Sequence, residues 1–442
     1  MRRGVGLGIA LIALVVGMVA APGASAAKPK QQELFVCKHG CKYRTIQDAV
    51  DRSKRDATIN VAPGKYREGV IVKGHKHDGL TIQGTGKNPK KVILEGKNAR
   101  NENGVAQNGI EGIKVDGLRM LNMWARNYAT NGFFIHECAD YLMKDLYASF
   151  NRSYGMYAFD CTGGRITKSV GWGHGDSAFY IGATPPQKKP DWTSLDHLDG
   201  HENVLGYSGT NSRYVKITKS DFYNNGVGVV PNTLDSEPYE PTADGKITKN
   251  NIFWNNFNYF MSASRVETVS GGLGQIGDQT INFPTGVGIV LLGADGWKVT
   301  KNKIFGNFKW GAAAISDPFN EGDDAVSRNN QFVDNQMGRN GTDTNAVDFF
   351  VDGSGGGNCF SGNVSSTFDA DSPAAAAALY PGCPQPAGGG TGTGDPAQFG
   401  KLASYVLSDP PETQQCSWTE HAHPKFKKFK PLEVPGVIPE CP

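Results

Sequence analysis

The sequence has little charge imbalance, no zinc-type cysteine spacing and, beyond its first 26 residues, no apolar run that could cross a membrane. Its 442 residues contain 45 Lys and Arg against 43 Asp and Glu, and the first 26 residues hold two of the Arg and no acid. A chain so balanced gives no overall electrostatic reason to bind nucleic acid or a membrane surface. We therefore expect neither partner, and any affinity for anions must be local.

Residues 1–26 have the pattern of a signal peptide. Arg2 and Arg3 precede an apolar stretch over residues 5–21, and Ala24-Ser25-Ala26 matches an A-x-A cleavage site. This predicts export, cleavage after Ala26 and a secreted or cell-surface protein. A retained membrane anchor is the alternative, because the apolar stretch is just long enough to span.

The centre of the chain repeats itself with a period of 23 residues. Residues 132–138 and 155–161 match in character position by position, and residues 178–182 begin a third copy. A period of this size marks a solenoid. Each copy contains short alternating strands and lacks the roughly 10 to 12 apolar-periodic residues of a helix. The predicted fold class is therefore all-β.

The period predicts which cysteines meet. Stacked coils place equivalent residues about 4.8 Å apart, which suits a disulfide between Cys138 and Cys161. Two free cysteines in register are the alternative. Eight cysteines in an exported chain favour disulfides, and local pairing suggests three further bonds: Cys37–Cys41, Cys359–Cys383 and Cys416–Cys441.

Alternation along the repeated strands predicts an outward aromatic ladder of Phe134, Tyr157 and Tyr180. The inward set is then Phe133, Ile135, Met156, Ala158, Phe179 and Ile181. The ladder could offer sugar rings a flat apolar platform. Equally, the long insertion after Tyr180 could fold back and bury it as a satellite core.

The N-terminal segment 43–51 has the period of a short amphipathic helix, followed by an alternating strand and a Pro63-Gly64 turn. The run 45–50 together with 59–68 resembles the capping helix and first coil of the pectate lyase-like superfamily. The resemblance implies a single-stranded right-handed parallel β-helix (solenoid) with an N-terminal capping helix that covers its open end. For chemistry it implies little, since the superfamily hosts unrelated reactions.

The chain divides on this basis into five parts: a signal peptide (1–26), an N-terminal lead (27–42), the β-helix (43–368), an Ala/Gly/Pro-rich linker (369–398) and a disulfide-bearing tail (399–442). We expect a monomer. The longest insertions into the coils fall at 184–203, 233–244 and 264–284, and insertions in solenoids often line the binding face. Asn residues that recur at the corners, at 251, 256, 307, 330 and 335, are expected to satisfy backbone groups there.

One candidate site combines Glu137 and Asp160, which are 23 residues apart. Their carboxylates should approach within roughly 5 Å on adjacent coils, where they either share a proton or bind a cation such as Ca²⁺. His136 beside them has the chemistry of an acid or base at neutral pH. Two carboxylates spread apart in solvent are the alternative.

Two further candidates compete with it. One consists of His197 and His201, with Asp196 and Asp199 beside them. They could supply an acid and a base or bind a metal. The alternative is a polar loop without a function of its own. A predicted basic column could bind a polyanion along the solenoid axis or simply be solvated. Its members are Lys144, Lys168, Lys219, Lys249, Lys301 and Arg328.

No catalytic set of a pectate lyase-like family transfers to this chain. The closest approach to the Asp-Pro-His-Asp of alginate epimerases is Asp317-Pro318-Phe319-Asn320, which lacks the His and the second acid. The expectation is an exported protein that binds, and cleaves or epimerises, an extracellular acidic polysaccharide. Catalytic residues would come from His136, His197, His201 and Lys168, and sugar contacts from the aromatic ladder with Lys219 and Lys249. A non-catalytic adhesin or a metal-delivery β-helix protein is the alternative.

Overall fold

The computed structural model describes residues 31–259, 283–317, 322–338, 344–364 and 380–387, with residues 1, 266, 274–276, 279–281, 389, 394–395, 398, 400 and 402–403. Apart from a few single residues, the predicted signal peptide and C-terminal tail lie outside these ranges. The predicted Cys416–Cys441 pair lies wholly outside them.

Three long parallel sheets form the body of the molecule within the described residues. Sheet 1 has twelve strands: β1 (Glu33–Val36), β2 (Thr58–Val61), β5 (Thr81–Gly84), β10 (Arg119–Leu121), β13 (Leu142–Lys144), β16 (Arg165–Thr167), β19 (Thr193–Asp196), β22 (Val215–Thr218), β25 (Lys246–Thr248), β30 (Lys298–Thr300), β33 (Gln331–Val333) and β36 (Cys359–Ser361). Sheet 2 has ten: β3 (Gly64–Tyr66), β6 (Val92–Glu95), β11 (Trp124–Arg126), β14 (Tyr147–Ser149), β17 (Val170–Trp172), β20 (Asp199–His201), β23 (Asp221–Tyr223), β26 (Asn251–Phe253), β31 (Lys303–Phe305) and β34 (Gln336–Met337).

Sheet 3 also has ten strands: β4 (Val70–Lys73), β9 (Asn108–Ile113), β12 (Asn131–Ala139), β15 (Met156–Thr162), β18 (Ser177–Gly182), β21 (Leu205–Thr210), β24 (Val227–Asn232), β29 (Val287–Leu292), β32 (Trp310–Ile315) and β35 (Val347–Val351). Two antiparallel hairpins pair β7 (Arg100–Asn101) with β8 (Gly104–Val105), and β27 (Gly274–Ile276) with β28 (Gln279–Ile281). One α-helix, α1 (Ile46–Arg52), and three 3₁₀ turns (His75–His77, Pro89–Lys91 and Asp323–Ala325) complete the described elements.

Each full coil visits sheet 3, sheet 1 and sheet 2 in turn, as β12, β13 and β14 do before β15 returns to sheet 3. Phe133 pairs with Met156, and Met156 pairs with Phe179. The period of 23 is therefore the length of one coil, and the predicted right-handed parallel β-helix is confirmed. The residues predicted to point inward are all buried: Phe133, Ile135, Met156, Ala158, Phe179 and Ile181. Each such side chain stabilises the stack by roughly 1.5 to 3 kcal/mol.

The corner from sheet 1 to sheet 2 is made by a single residue in the left-handed conformation. Its φ lies between 52° and 59° in eight coils, at Asn122, Asp145, Lys168, His197, Lys219, Lys249, Lys301 and Asp334. The residue after the corner is buried in the later coils, at Ser220, Asn250, Asn302 and Asn335. This sharp turn lets the chain change sheets without a loop.

Buried Asn side chains form ladders behind the corners. The Oδ1 of Asn302 accepts from the backbone N–H of Asn250 at 3.0 Å, and the Oδ1 of Asn335 accepts from that of Asn302 at 3.0 Å. A second ladder at the corner from sheet 2 to sheet 3 contains Asn203, Asn225, Asn255, Asn307 and Asn345. The structural role predicted for Asn307, Asn330 and Asn335 is confirmed. Asn251 instead lies in β26 and donates to Asp221 at 2.6 Å.

Helix α1 forms where the sequence predicted it, because Ile46, Ala49 and Val50 bury one face and the Thr45 side chain accepts from the N–H of Asp48. Its role as a cover for the open end of the solenoid stays a prediction. Three predicted disulfides are present: Cys37–Cys41, Cys138–Cys161 and Cys359–Cys383. No helix in the described ranges is long and apolar enough to cross a membrane.

Candidate functional site

The outer surface of sheet 3 brings together most of the residues predicted to bind a ligand. We call this surface the sheet-3 face and define it by Glu111, Phe134, His136, Tyr157, Phe159 and Tyr180. Register sets the order: Phe134 lies between Glu111 and Tyr157, and Tyr157 lies beside Tyr180. These side chains point outward because their strand neighbours fill the core.

The aromatic ladder is partly closed. Phe134 and Tyr157 stack with ring centroids 4.5 Å apart, and Tyr180 meets Tyr157 edge-on at 4.6 Å. Tyr180 is only 2% exposed, and its hydroxyl donates to both carboxylate oxygens of Glu237 at 3.1 Å. Tyr180 is therefore covered by the insertion 233–244, whereas Phe134 and Tyr157 stay half-buried. The ring faces that these two turn toward each other are closed to a sugar.

A break in the strand alternation shapes the end of this face. Glu137 and Asp160 have φ of 54° and 52°, in the left-handed region, at the same place on adjacent strands. Strict alternation would turn Glu137 into the core behind His136. Instead the Glu137 side chain is 42% exposed. Cys138 turns inward and forms its disulfide with Cys161, which fixes the two strands beside the carboxylates.

His136 lies among charged groups. Its Nδ1 is 3.3 Å from Oε1 of Glu137, and its Nε2 is 4.0 Å from Oε1 of Glu111. The Lys114 ammonium contacts the other oxygen of Glu137 at 3.0 Å and holds the pKa of that carboxyl below its usual value. An ionised Glu137 can accept a hydrogen bond from the Nδ1–H of His136, which favours the neutral tautomer whose Nε2 is unprotonated and able to act as a base.

Asp160 differs from Glu137 in its environment. Burial raises the pKa of Asp160, the nearby charge of Glu137 raises it further, and a hydrogen bond from Tyr239 opposes both. Such coupling is expected for two carboxylates on adjacent coils. Burial and the charge of Glu137 thus make Asp160 hold its proton more strongly than an isolated aspartate. For the same reason a cation would be stabilised between the two carboxylates.

The insertion 233–244 supplies a second carboxyl with altered acidity. Burial raises the pKa of Glu237 to about 7, although the Tyr180 hydroxyl opposes this. The insertion is held in place because the Nδ2 of Asn211 donates to the carbonyls of Leu234 at 2.8 Å and Glu237 at 2.7 Å. Arg213 also donates to the carbonyl of Glu240 at 2.6 Å. Glu237 and Tyr239 are thus positioned against the sheet-3 face.

His197 lies away from this face, at the corner between sheets 1 and 2. Its Nδ1 is 2.7 Å from Asp196, a carboxylate that also accepts from Arg165 at 2.8 Å and from Thr167 at 2.8 Å. These bonds outweigh burial and lower the pKa of Asp196 to about 2. His197, Arg165 and Thr167 therefore all contact the Asp196 carboxylate, whose oxygens are satisfied within the protein.

His201 lies on the outer surface of sheet 2, in a row of stacked rings. It stacks between Trp172 at 6.0 Å and Tyr223 at 5.0 Å, and its Nδ1 is 2.8 Å from Asp199. Burial lowers the pKa of His201, but Asp199 and then Glu202 raise it above its usual value. The structure therefore separates His197 and His201 onto different sheets.

Neither histidine belongs to a group of potential metal ligands. Among the described residues one group of three has all its ligand atoms within 4.8 Å of one another: His75, Asp78 and Asp116. Asp78 is already paired with Arg55 and accepts from the N–H of Asp116 at 3.0 Å. The sequence did not point to this group, and its acids are largely satisfied by the protein.

The predicted basic column is shorter than expected. Exposed Lys168, Lys219, Lys249 and Lys301 occupy the corner between sheets 1 and 2, but His197 stands between the first two. Lys144 lies inside β13, and Asp145 takes the corner in that coil. Arg328 lies at a different corner, beside Asp295, with which it forms an ion pair at 3.0 Å. Two of the six predicted positions, Lys144 and Arg328, therefore lie outside the row, which His197 interrupts. Lys168, Lys219 and Lys249 do not join the sheet-3 face.

Five residues of the site escaped the sequence analysis, and one of them, Phe159, pairs with His136 on the adjacent strand. Glu111 and Lys114 precede Phe134 and Glu137 by one period of 23, so extending the repeat one coil toward the N-terminus would have found them. Glu237 and Tyr239 belong to an insertion and follow no period. Only the tertiary structure shows that they contact the sheet-3 face.

Comparison with known proteins supports the fold but assigns no activity and no site residue. No family model matches the chain, and no curated protein matches it. The structure is similar to the A-module of the mannuronan C-5 epimerase AlgE4 of Azotobacter vinelandii, with a TM-score of 0.50 and 13% identity over 72% of this chain and 82% of that one. It is also similar to XylC in complex with xylose, with a TM-score of 0.50 and 8% identity over 72% of this chain and 70% of that one.

Proposed function

We propose that this chain, a right-handed parallel β-helix with the fold of the pectate lyase-like superfamily, is an exported protein that acts on an extracellular acidic polysaccharide. The polymer would bind on the sheet-3 face, where His136 removes the C5 proton of a uronate residue. Return of a proton to the opposite side of C5 gives epimerisation, whereas loss of the C4 oxygen substituent gives β-elimination.

The position of His136 carries this proposal. Its Nδ1 is 3.3 Å from Glu137, which the Lys114 ammonium keeps ionised, and its side chain is 22% exposed beside Phe134. An imidazole oriented by a carboxylate and open to a ligand is suited to general base catalysis near neutral pH. The half-buried Phe134 and Tyr157 rings would contact the apolar side of the sugars.

The carboxylate of the substrate needs a positive partner, since Glu111, Glu137 and Asp160 make the face acidic. Lys114 is one candidate. Ca²⁺ is the other: Glu137 and Asp160 offer hard oxygen ligands on adjacent coils, and a cation would offset the burial and the charge of Glu137 that together raise the pKa of Asp160. The ion would stabilise the negative charge that develops when the C5 proton leaves. The uronate itself would complete the oxygen ligands.

Two observations support the proposed export and the proposed class of substrate. The three disulfides in the described residues suit an oxidising, extracellular compartment. The name of the AlgE4 module, a mannuronan C-5 epimerase, indicates which uronate polymers to test first.

The test is C5 proton exchange with a panel of polyuronates in deuterated buffer, with and without Ca²⁺. Nuclear magnetic resonance detects deuterium at C5 after epimerisation, and ultraviolet absorbance detects the unsaturated ends left by elimination. His136→Ala should reduce the rate by roughly 10²- to 10⁴-fold. His197→Ala is the matched control and should leave it unchanged.

Loss of activity in both variants, or in neither, would contradict the role of His136. Binding of a polyuronate without exchange or cleavage would favour the non-catalytic adhesin instead. Absence of both binding and turnover with every polymer would overturn the proposed function.

A further inference from the structure

A cleft of about 380 Å³ lies at the corner where the chain passes from sheet 2 to sheet 3, apart from the sheet-3 face. Its volume falls in the range of pockets that hold small ligands. Four successive coils contribute to its wall. The lining residues are Gly96, Asn127, Tyr128, Ala129, Phe150, Asn151, Arg152, Gly173 and Gly175.

An aromatic ring packs against a glycine in the wall of the cleft. The corner residues of successive coils are Asn127, Phe150, Gly173 and Glu202, and the backbone N–H of each of the first three donates to a carbonyl of the next coil, at Ser149, Trp172 and Glu202. Gly173 has φ of +72°, and a Cβ there would lie 2.6 Å from the Phe150 ring. Glycine therefore accommodates the ring in this position, where Phe150 stays 38% exposed.

The cleft offers unsatisfied donors. Within the described part of the chain, the exposed Arg152 guanidinium forms no ion pair and no hydrogen bond, and the backbone N–H groups of Ala129 and Gly175 donate none. The nearby Glu95 carboxylate is neutralised by Arg126 at 2.9 Å and accepts from Asn127 at 2.7 Å. A positive charge, free donors and an exposed aromatic ring thus line the same cleft.

We propose that this cleft is a second subsite that binds a carboxylated sugar residue. The Arg152 guanidinium pairs with the carboxylate in the forked geometry that suits it, and the free N–H groups bind further oxygens. The Phe150 ring packs against the apolar C–H face of the sugar. The identity of the sugar as a uronate rests on the proposed function.

The distance to the sheet-3 face suits one polymer that contacts both places. Arg152 and Tyr157 belong to the same coil and are five residues apart, a span of about 17 Å at most in extended chain. An oligosaccharide of several residues reaches from the cleft to the aromatic ladder. The cleft would then hold the polymer while its reacting residue lies at His136.

The experiment is calorimetric titration of the full chain with an oligouronate and with the same oligosaccharide after reduction of its carboxyl groups. Arg152→Gln should weaken oligouronate binding by about 10-fold or more and leave binding of the reduced form unchanged. Phe150→Ala should weaken both. The matched control is Arg119→Gln, an exposed arginine at the start of β10 that forms no ion pair with a described residue.

Equal affinities of Arg152→Gln and Arg119→Gln for the oligouronate would overturn the subsite, whatever the catalytic activity. The role of His136 is tested separately: His136→Ala should reduce C5 exchange by roughly 10²- to 10⁴-fold, and Arg152→Gln should still weaken oligouronate binding in that background. A wild-type protein that binds no oligouronate would overturn both. Thermal melting of each variant shows that the fold is intact.

Discussion

The Oδ1 of Asn307 accepts two hydrogen bonds from Asn255, one from its backbone N–H at 3.0 Å and one from its Nδ2 at 3.2 Å, although 52 residues separate them. Asn255 in turn accepts two bonds from Asn225, at 3.3 and 3.0 Å. The ladder therefore keeps its register across the longest insertion of the solenoid. Stacking, and not the length of chain between coils, determines which residues meet.

We predict that Asn255→Ala lowers the free energy of unfolding by roughly 2 to 4 kcal/mol, because it leaves the buried backbone N–H of Asn225 without an acceptor and its Nδ2 with the Gly200 carbonyl alone. Asn251→Ala, in the same coil, is the control. Asn251 is half-buried and donates to Asp221, so its loss should cost about 1 kcal/mol or less. Denaturant titration measures both, and equal effects would show that the ladder has no special role.

The pKa of Glu237, raised by burial to about 7, predicts a pH dependence of stability. Between the ordinary value of 4.5 and about 7 the folded protein keeps a proton that the unfolded chain loses, so stability falls as the pH rises through this window. Glu237→Gln should remove this fall, which amounts to roughly 3 kcal/mol. Thermal melting at several pH values checks it.

Glu240→Gln, in the same insertion, serves as the control for Glu237. Its melting profile should follow that of the wild type. A Glu237→Gln profile parallel to the wild type at every pH would mean that the carboxyl is not the group that titrates.

If activity requires Ca²⁺, the ion bound by Glu137 and Asp160 is the group that neutralises the carboxylate of the substrate. We expect chelation to abolish C5 exchange, and Glu137→Gln or Asp160→Asn to weaken Ca²⁺ binding by tenfold or more, as expected for loss of a carboxylate ligand, on the order of 1.4 kcal/mol. Titration with Ca²⁺ in the presence of an oligouronate measures this. Asp140→Asn, an exposed acid on the same turn, should have no effect.

Activity that survives chelation would assign the neutralising role to Lys114. In that case Lys114→Gln should abolish exchange, since no other described cation contacts Glu137. The two outcomes exclude each other.

The Cys138–Cys161 disulfide closes a loop of one coil and should stabilise the fold by about 3 kcal/mol through restriction of the unfolded chain. The double variant Cys138→Ser with Cys161→Ser measures this in denaturant. The double variant Cys37→Ser with Cys41→Ser removes a loop of only four residues and should cost less, about 2 kcal/mol. A larger loss at the shorter loop would contradict the entropic account.

The 23-residue period of the sequence predicted much of the candidate site, but not all of it. Phe134, Tyr157, Glu137 and Asp160 lie where the 23-residue register placed them. The histidines at 197 and 201 looked like a pair because only three residues stand between them. His197 is itself the corner residue, so the chain changes from sheet 1 to sheet 2 before His201 and the two side chains lie apart.

The sequence alone determined the parallel β-helix, the length of its coil, the inward residues and the pairing of Cys138 with Cys161. These features repeat along the chain, and stacking at one strand spacing turns an equal period into direct contact. Only the tertiary structure decided that Glu237 covers Tyr180, that Tyr239 bonds to Asp160 and that Phe150 packs against Gly173 in the wall of a cleft. Insertions and corners obey no period, so their contacts depend on packing between distant parts of the chain.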